Sequence, residues 1–250
     1  MTVRIAHASI DENNRTKGGA AGDQTGREVC TRDWYNKPWG CVIRFTDARM
    51  AEKVAQAMEA AASNNNIGYD QNERNTLLRE ARKYNYDVSK VNVKCETDCS
   101  ALVSVACMYA GIPESVLVLN GNCAHTRNLK GILKSTGEVD IFTTPLYTTR
   151  PDKLKRGDIL LKEGSHVAVV IKVDTPTDNP YTLTATLLKS GAKGENVKWL
   201  QYELNKRGAG LSIDGDFGPK TLEAVKNYQK NRGLEVDGIV GPKTISALRG

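Results

Sequence analysis

The chain has 250 residues, with 35 Lys and Arg against 29 Asp and Glu for a formal charge of +6, and it is 40% hydrophobic and 26% charged. That length allows one large domain or a medium domain with a small companion, and the apolar share excludes a disordered chain. A mean hydropathy of −0.45 and no apolar run near the roughly 18 residues of a spanning helix exclude membrane insertion.

The opening stretch, MTVRIAHASIDENN, has no apolar core of an export signal. The sequence therefore predicts a protein made in the cytoplasm without a signal peptide. Six cysteines are too few for a disulfide scaffold and are predicted to be reduced there. Cys95 and Cys99 lie four apart with no second ligand pair. No zinc site, other metal or cofactor is predicted. The loop Lys17-Gly-Gly-Ala-Ala-Gly-Asp-Gln-Thr-Gly26 lacks a nucleotide-binding signature and is expected to border a cleft. Trp34, Tyr35 and Trp39 gather around Pro38, most simply as a core cluster under a loop.

Met50, Val54, Ala57, Met58 and Ala61 recur on one helical face behind a cap at Asp47. Asp70 with Glu73 has the form of a capping box opening a second helix. A third helix is predicted from Cys99 to Ala110, capped by Thr97 or Asp98 and stopped by Gly111 with Pro113 beyond. Cys99 falls in its first turn, where free N–H groups and the helix dipole favour a thiolate. The same N–H groups can hold an oxyanion. Cys107, deeper in the helix, is expected to be inert. His125 precedes a helix that Thr126 would cap, and is read as structural. Leu154–Lys162 and His166–Val173 form a hairpin about Glu163-Gly-Ser165. Its second strand is apolar on both faces and therefore central. His166 opens that strand and is placed to serve Cys99 as a general base.

The segment from Asp174 to Pro180 holds two prolines and reads as linker. The resulting division is 1–175, a linker over 176–187, and 188–250. In the last part Asp214-Gly-Asp-Phe-Gly-Pro-Lys-Thr221 recurs 23 residues later as Asp237-Gly-Ile-Val-Gly-Pro-Lys-Thr244. Each copy leads into a helix with proline in its first turn, and a further helix covers about Glu195 to Lys206. Residues 188–250 carry 11 basic and seven acidic side chains, which suits an anionic polymer such as nucleic acid or bacterial wall. No basic run or aromatic platform supports nucleic acid.

Residues 188–250, with LLKSGAKGENVKWLQYELN, IDGDFGPKT and VDGIVGPKT in order, resemble the peptidoglycan-binding domain type 1 of bacterial and phage wall hydrolases. D-C-S-A-L-V at Cys99, with S-H-V-A-V-V-I at His166, is similar to the NlpC-type papain-like cysteine peptidases of bacterial walls. Ala101 replaces the usual glycine. That resemblance implies an α+β papain-like domain with an antiparallel sheet, joined to a small all-α three-helix domain. It implies Cys99 as nucleophile, His166 as base, and Tyr69 at the oxyanion or substrate side, with Tyr86 competing on spacing. The expected third strand does not follow His166. Arg4-Ile-Ala-His-Ala-Ser-Ile10 looks like that strand moved to the front, a circular permutation that makes His7 the third member. Asp178, Asp174 and Asp23 are the alternatives. The chain thus resembles a phage endolysin, an amidase or stem-peptide endopeptidase partnered by peptidoglycan and released onto the wall. A non-catalytic wall-binding protein is the alternative, and an acyltransferase a more distant one.

Overall fold

The computed structural model describes residues 2–174 and 179–249, and the chain divides into two units, Met1–Thr175 and Pro176–Gly250. The first unit runs β1 (Thr2–Ala8), β2 (Val29–Asp33), β3 (Cys41–Phe45), α1 (Ala48–Ala62), β4 (Ile67–Tyr69), α2 (Thr76–Ala81), β5 (Cys95–Thr97) and α3 (Cys99–Ala110). It continues with α4 (Glu114–Leu117), β6 (Val118–Leu119), β7 (Asn122–Cys123), α5 (Leu129–Ser135), β8 (Val139–Phe142), α6 (Pro145–Thr148), β9 (Ile159–Lys162) and β10 (His166–Asp174). Six strands form one sheet in the order β2-β1-β10-β9-β3-β8, antiparallel throughout.

The sequence of β10 explains its central place. Val167, Val169 and Ile171 enter the core shared with Val54 and Met58 of α1 and with Leu102 and Val105 of α3. Ala168 and Val170 point the other way, to Val3, Ile5, Trp39, Val42 and Leu160. Alternate side chains thus feed two cores, as a strand buried on both faces must. Each fully buried valine or isoleucine contributes about 1.5–3 kcal/mol.

Asp47 caps α1 by accepting from the Arg49 N–H at 2.8 Å, as its sequence position predicts. Arg156 ties α1 to the sheet, reaching Glu52 at 2.7 Å and Glu59 at 2.7 Å. The next residue must be glycine. Gly157 has φ +86°, and a Cβ there would stand 2.3 Å from the Ala51 carbonyl oxygen. Two expected helix starts differ. Asp70 does not open a helix but accepts from the Gly18 and Asn72 N–H groups, and α2 begins at Thr76. Thr126 does not cap α5, which follows Asn128. In both places short polar side chains serve loop backbone, which competes with capping.

The second unit holds α7 (Glu195–Asn205), α8 (Pro219–Asn231) and α9 (Pro242–Arg249) around Val197, Leu200, Phe217, Val225, Val240 and Leu248. Its repeat is structural. The buried Gln201 amide donates to Asp214 and to the Asp216 carbonyl while accepting from Gly215 N–H. Gln229 does the same for the second copy, with Asp237, the Ile239 carbonyl and Gly238 N–H. Gln229→Leu will strand those loop groups and destabilise this unit by about 2–4 kcal/mol, measured by urea unfolding of the intact chain. A change below 0.5 kcal/mol, on the order of a neutral surface substitution, would show that the loop holds itself.

Residues 179–187, expected to be linker, belong to this unit instead. Asn179 is buried and donates to the Trp199 carbonyl at 2.8 Å, while Tyr181, Leu183 and Ala185 pack on the helical core. The sparse apolar residues of that stretch conceal how well each is used.

Candidate active site

Three elements bring the chemistry together: the start of α3, the start of β10, and the end of β1. Helix α3 begins at Cys99 and is capped by Asp98, whose carboxylate accepts from the Ser100 and Ala101 N–H groups at 2.9 and 2.7 Å. It stops at Gly111, φ +117°, as the sequence predicts. The cap is itself clamped. Buried Arg74 grips the Asp98 carboxylate with two nitrogens, at 2.5 and 3.1 Å, and donates to Ser100 Oγ and to the Cys123 and Ala124 carbonyls. Nothing in the sequence singled out Arg74, which reaches its partner from a loop 24 residues away.

At β10, the Val167 N–H comes near enough to the Cys99 sulfur to favour its ionised form, as does the Ser100 N–H. The sulfur therefore lies near the residue following His166. Beside it, β1 pairs antiparallel with β10, and His7 Nδ1 meets His166 Nε2 at 2.9 Å with both rings buried. One nitrogen donates and the other accepts. The Trp39 ring stacks on His166 from the remaining side, centroids 6.2 Å apart at 29°. Trp39 is thus core residue and site wall at once.

The other sequence candidates separate cleanly. Tyr69 is buried on β4, and burial and its nearness to Cys99 push its phenol up. Its hydroxyl accepts from Gln71 Nε2 at 3.2 Å. Tyr86 instead gives its hydroxyl to Glu114 at 2.6 Å. Asp23 spends its carboxylate on the N–H groups of Thr25, Gly26 and Glu28. Asp174 ends β10 eight residues after His166, about 26 Å along a strand. Asp178 lies outside the described residues. Among the described residues, His7 is the candidate for the third position that contacts His166.

A cleft of about 560 Å3 opens over this point, lined by Lys17, Gln71, Arg74, Cys99, His125 and Arg127 among others. His125, read as structural, stands on its rim. Lys17 brings the glycine-rich loop to the cleft, as expected.

The protonation state departs from expectation. The helix start favours a thiolate, but Cys99 is only 7% exposed. Burial, helped by the Asp98 carboxylate, pushes its thiol up to about 12 against the two N–H donors. Burial, with His7 beside it, lowers His166 to about 3, and burial lowers His7 to about 4. Burial therefore favours a neutral thiol and neutral imidazoles over the charged pair. Only the thiolate is alkylated. Iodoacetamide labelling of the Cys99 peptide will therefore accelerate about tenfold per pH unit from 7 to 10, followed by mass spectrometry. A rate level from pH 5 to 9 would instead establish a preformed thiolate–imidazolium pair.

The chain thus has two units, one with a helix-start cysteine near a pair of touching histidines and one built on a repeated helix-start loop. Residues 5–176 match the endolysin-like domain family, to which this chain belongs. Residues 193–248 match the putative peptidoglycan binding domain. Among curated proteins none matches. Of solved structures, the chain is similar to the SleB N-terminal domain, at 38% identity over 27% of this chain and 94% of that one, TM-score 0.27. It is similar to a Burkholderia AP3 phage endolysin at 42% identity, covering 26% of this chain and 25% of that one, TM-score 0.26. A fused Zn-dependent amidase/peptidase/peptidoglycan-binding domain-containing protein from Clostridium acetobutylicum is 36% identical over 26% of this chain and 29% of that one, TM-score 0.25. The chain thus spans about a quarter of the length of the last two. Among the described residues no helix is long and apolar enough to cross a membrane.

Proposed function

We propose that this chain is a peptidoglycan hydrolase of the endolysin type that cleaves an amide bond of the wall stem peptide through Cys99. The observation that carries the reading is the His7–His166 contact at 2.9 Å, set beside a helix-start cysteine in a member of the endolysin-like family. The first unit is then a papain-like domain of NlpC type, circularly permuted so that the strand bearing His7 comes first.

In the reaction, His166 takes the thiol proton as the Cys99 sulfur attacks the amide carbon. The resulting oxyanion is held by the N–H of Cys99 itself, since the Ser100 and Ala101 N–H groups are taken by the Asp98 carboxylate, with Tyr69 on the substrate side. His166 then gives the proton to the leaving amine as the C–N bond breaks. Water, deprotonated by His166, hydrolyses the thioester and frees the sulfur. His7 fixes the His166 tautomer and ring orientation, the task of a third triad member. The second unit holds the enzyme on an insoluble polymer and so raises its local concentration. The polymer on which it acts is the bacterial cell wall.

Purified Gram-positive walls should lose turbidity with the protein, releasing new free amino groups and no new reducing sugar ends. Alkylation of Cys99 should stop this. A new alanine N-terminus would identify an amidase, and a new amine within the stem an endopeptidase. The depth at which Cys99 is buried favours one second reading, a wall-binding protein with a silent cysteine domain. Wall binding without turbidity loss across several wall types would select it.

A further inference from the structure

Away from the cleft, five carboxylates crowd one place: Asp11 and Glu12 at the start of the glycine-rich loop, Glu28, Asp70 after β4, and Glu96 in β5. Glu96 is 3% exposed, and neither of its carboxylate oxygens has a hydrogen-bond partner among the described residues. The Gly22 N–H that approaches it is bonded to the Cys95 carbonyl. Asp11 Oδ2 and Glu12 Oε2 are likewise buried without partners. An isolated buried carboxylate is costly, and four unpartnered oxygens in one cluster multiply that cost.

The backbone is shaped around these oxygens. A Cβ on Gly19 would lie 3.0 Å from Glu12 Oε2 and 3.2 Å from the Tyr69 carbonyl oxygen. One on Gly68 would lie 2.9 Å from Glu96 Oε2 and 2.7 Å from the Gly22 carbonyl oxygen. Burial, then Glu28, Asp70 and Glu12, raises Glu96 to about 8. No lysine or arginine forms an ion pair with any of the five among the described residues. The Lys94 stem passes Gly22 without pairing with Glu96.

We propose that Asp11, Glu12 and Glu96, with Glu28 and Asp70 around them, form a structural site for one divalent cation of the calcium type. Hard carboxylate and carbonyl oxygens in an irregular set suit calcium, which accepts six to eight such ligands in flexible geometry, better than magnesium. Among the described residues the side chains do not already stand as a metal-holding group. Binding would require these carboxylates to close on the ion, which would relieve the repulsion between their like charges. The site is separate from the nucleophile but coupled to the cleft wall. Asp70 holds the Gly18 and Gly19 N–H groups, the Thr16 carbonyl holds Gln71, and Lys17 and Gln71 line the cleft. The ion would order that wall without joining the chemistry.

The test is thermal unfolding of the intact chain after chelator treatment, titrated with calcium chloride, with equilibrium dialysis for stoichiometry. At a hundredfold excess over Kd the wild type should gain about 5–10 °C and bind one ion, with magnesium giving less. Glu96→Gln should abolish the gain, and Glu12→Gln, nearer the surface and safer for folding, should reduce it. No gain with calcium, magnesium or manganese overturns the proposal. An equal gain in wild type and both variants also overturns it, because the ion then binds elsewhere. So does a Glu96→Gln chain more stable than ion-free wild type together with no calcium response, the signature of a carboxyl that simply holds a proton.

Discussion

Cys99→Ala will remove wall lysis altogether, a loss of at least about 10⁴-fold in rate, while the protein still pellets with walls. The size follows from the chemistry: without the sulfur there is no acyl-enzyme, and hydrogen bonding alone leaves only a small residual rate. The fold will survive, because alanine fills the helix start as well as cysteine does. His7 tests the arrangement more sharply. His7→Ala leaves His166 free to turn and should cost about 10²–10⁴-fold in kcat with KM little changed. His7→Asn places an amide atom near where Nδ1 stood and should recover part of that loss. A merely structural histidine would show no such rescue. Full activity in His7→Ala would remove His7 from the mechanism.

Arg74→Ala will be the most destabilising single change in the first unit. It leaves Asp98, whose side chain is 9% exposed, charged and unpaired, and it orphans two carbonyls. Breaking a buried pair this way costs about 3–5 kcal/mol, or roughly 10 °C for a unit of this size. Arg74→Lys keeps the charge but loses the two-pronged grip, so it should fall between. Denaturant unfolding followed through the first unit reads both. A loss below about 1 kcal/mol, the range of an exposed ion pair, would mean that the clamp is not holding the cap. Because the cap sets the N–H groups around Cys99, activity should fall in step with stability of the helix start.

The elements that repeat or alternate were legible. Helix α3 and its caps, the β9–β10 hairpin, α1 behind Asp47 and the proline-led α8 and α9 follow from local rules that leave marks at fixed spacing. The positions of Cys99 and His166 share that legibility, since each sits at an element end. What the sequence did not disclose is non-local. Arg74 meets Asp98 only because β4 and β5 pair in parallel, bringing the loops after them together. Trp39 reaches His166 from a loop with no periodic pattern. The upward push of burial on the Cys99 thiol was not legible, because helix position argues for a thiolate while depth of burial is set by the whole fold. The docking of residues 179–187 was hidden by the two prolines between Asp174 and Pro180 and by alternating threonines, which read the same in a free linker.

The two imidazoles that touch are 159 residues apart in the chain. Pairing so distant is closed late, because long loops carry an entropy cost before any contact rewards it. On the ribosome, at about 5–20 residues per second, the strand bearing His7 waits roughly 10–30 s before its partner strand exists. During that time no nascent chain can hold a working pair. Interrupted synthesis therefore yields fragments that carry Cys99 without His166, and the proposed activity can appear only once the whole domain has been made.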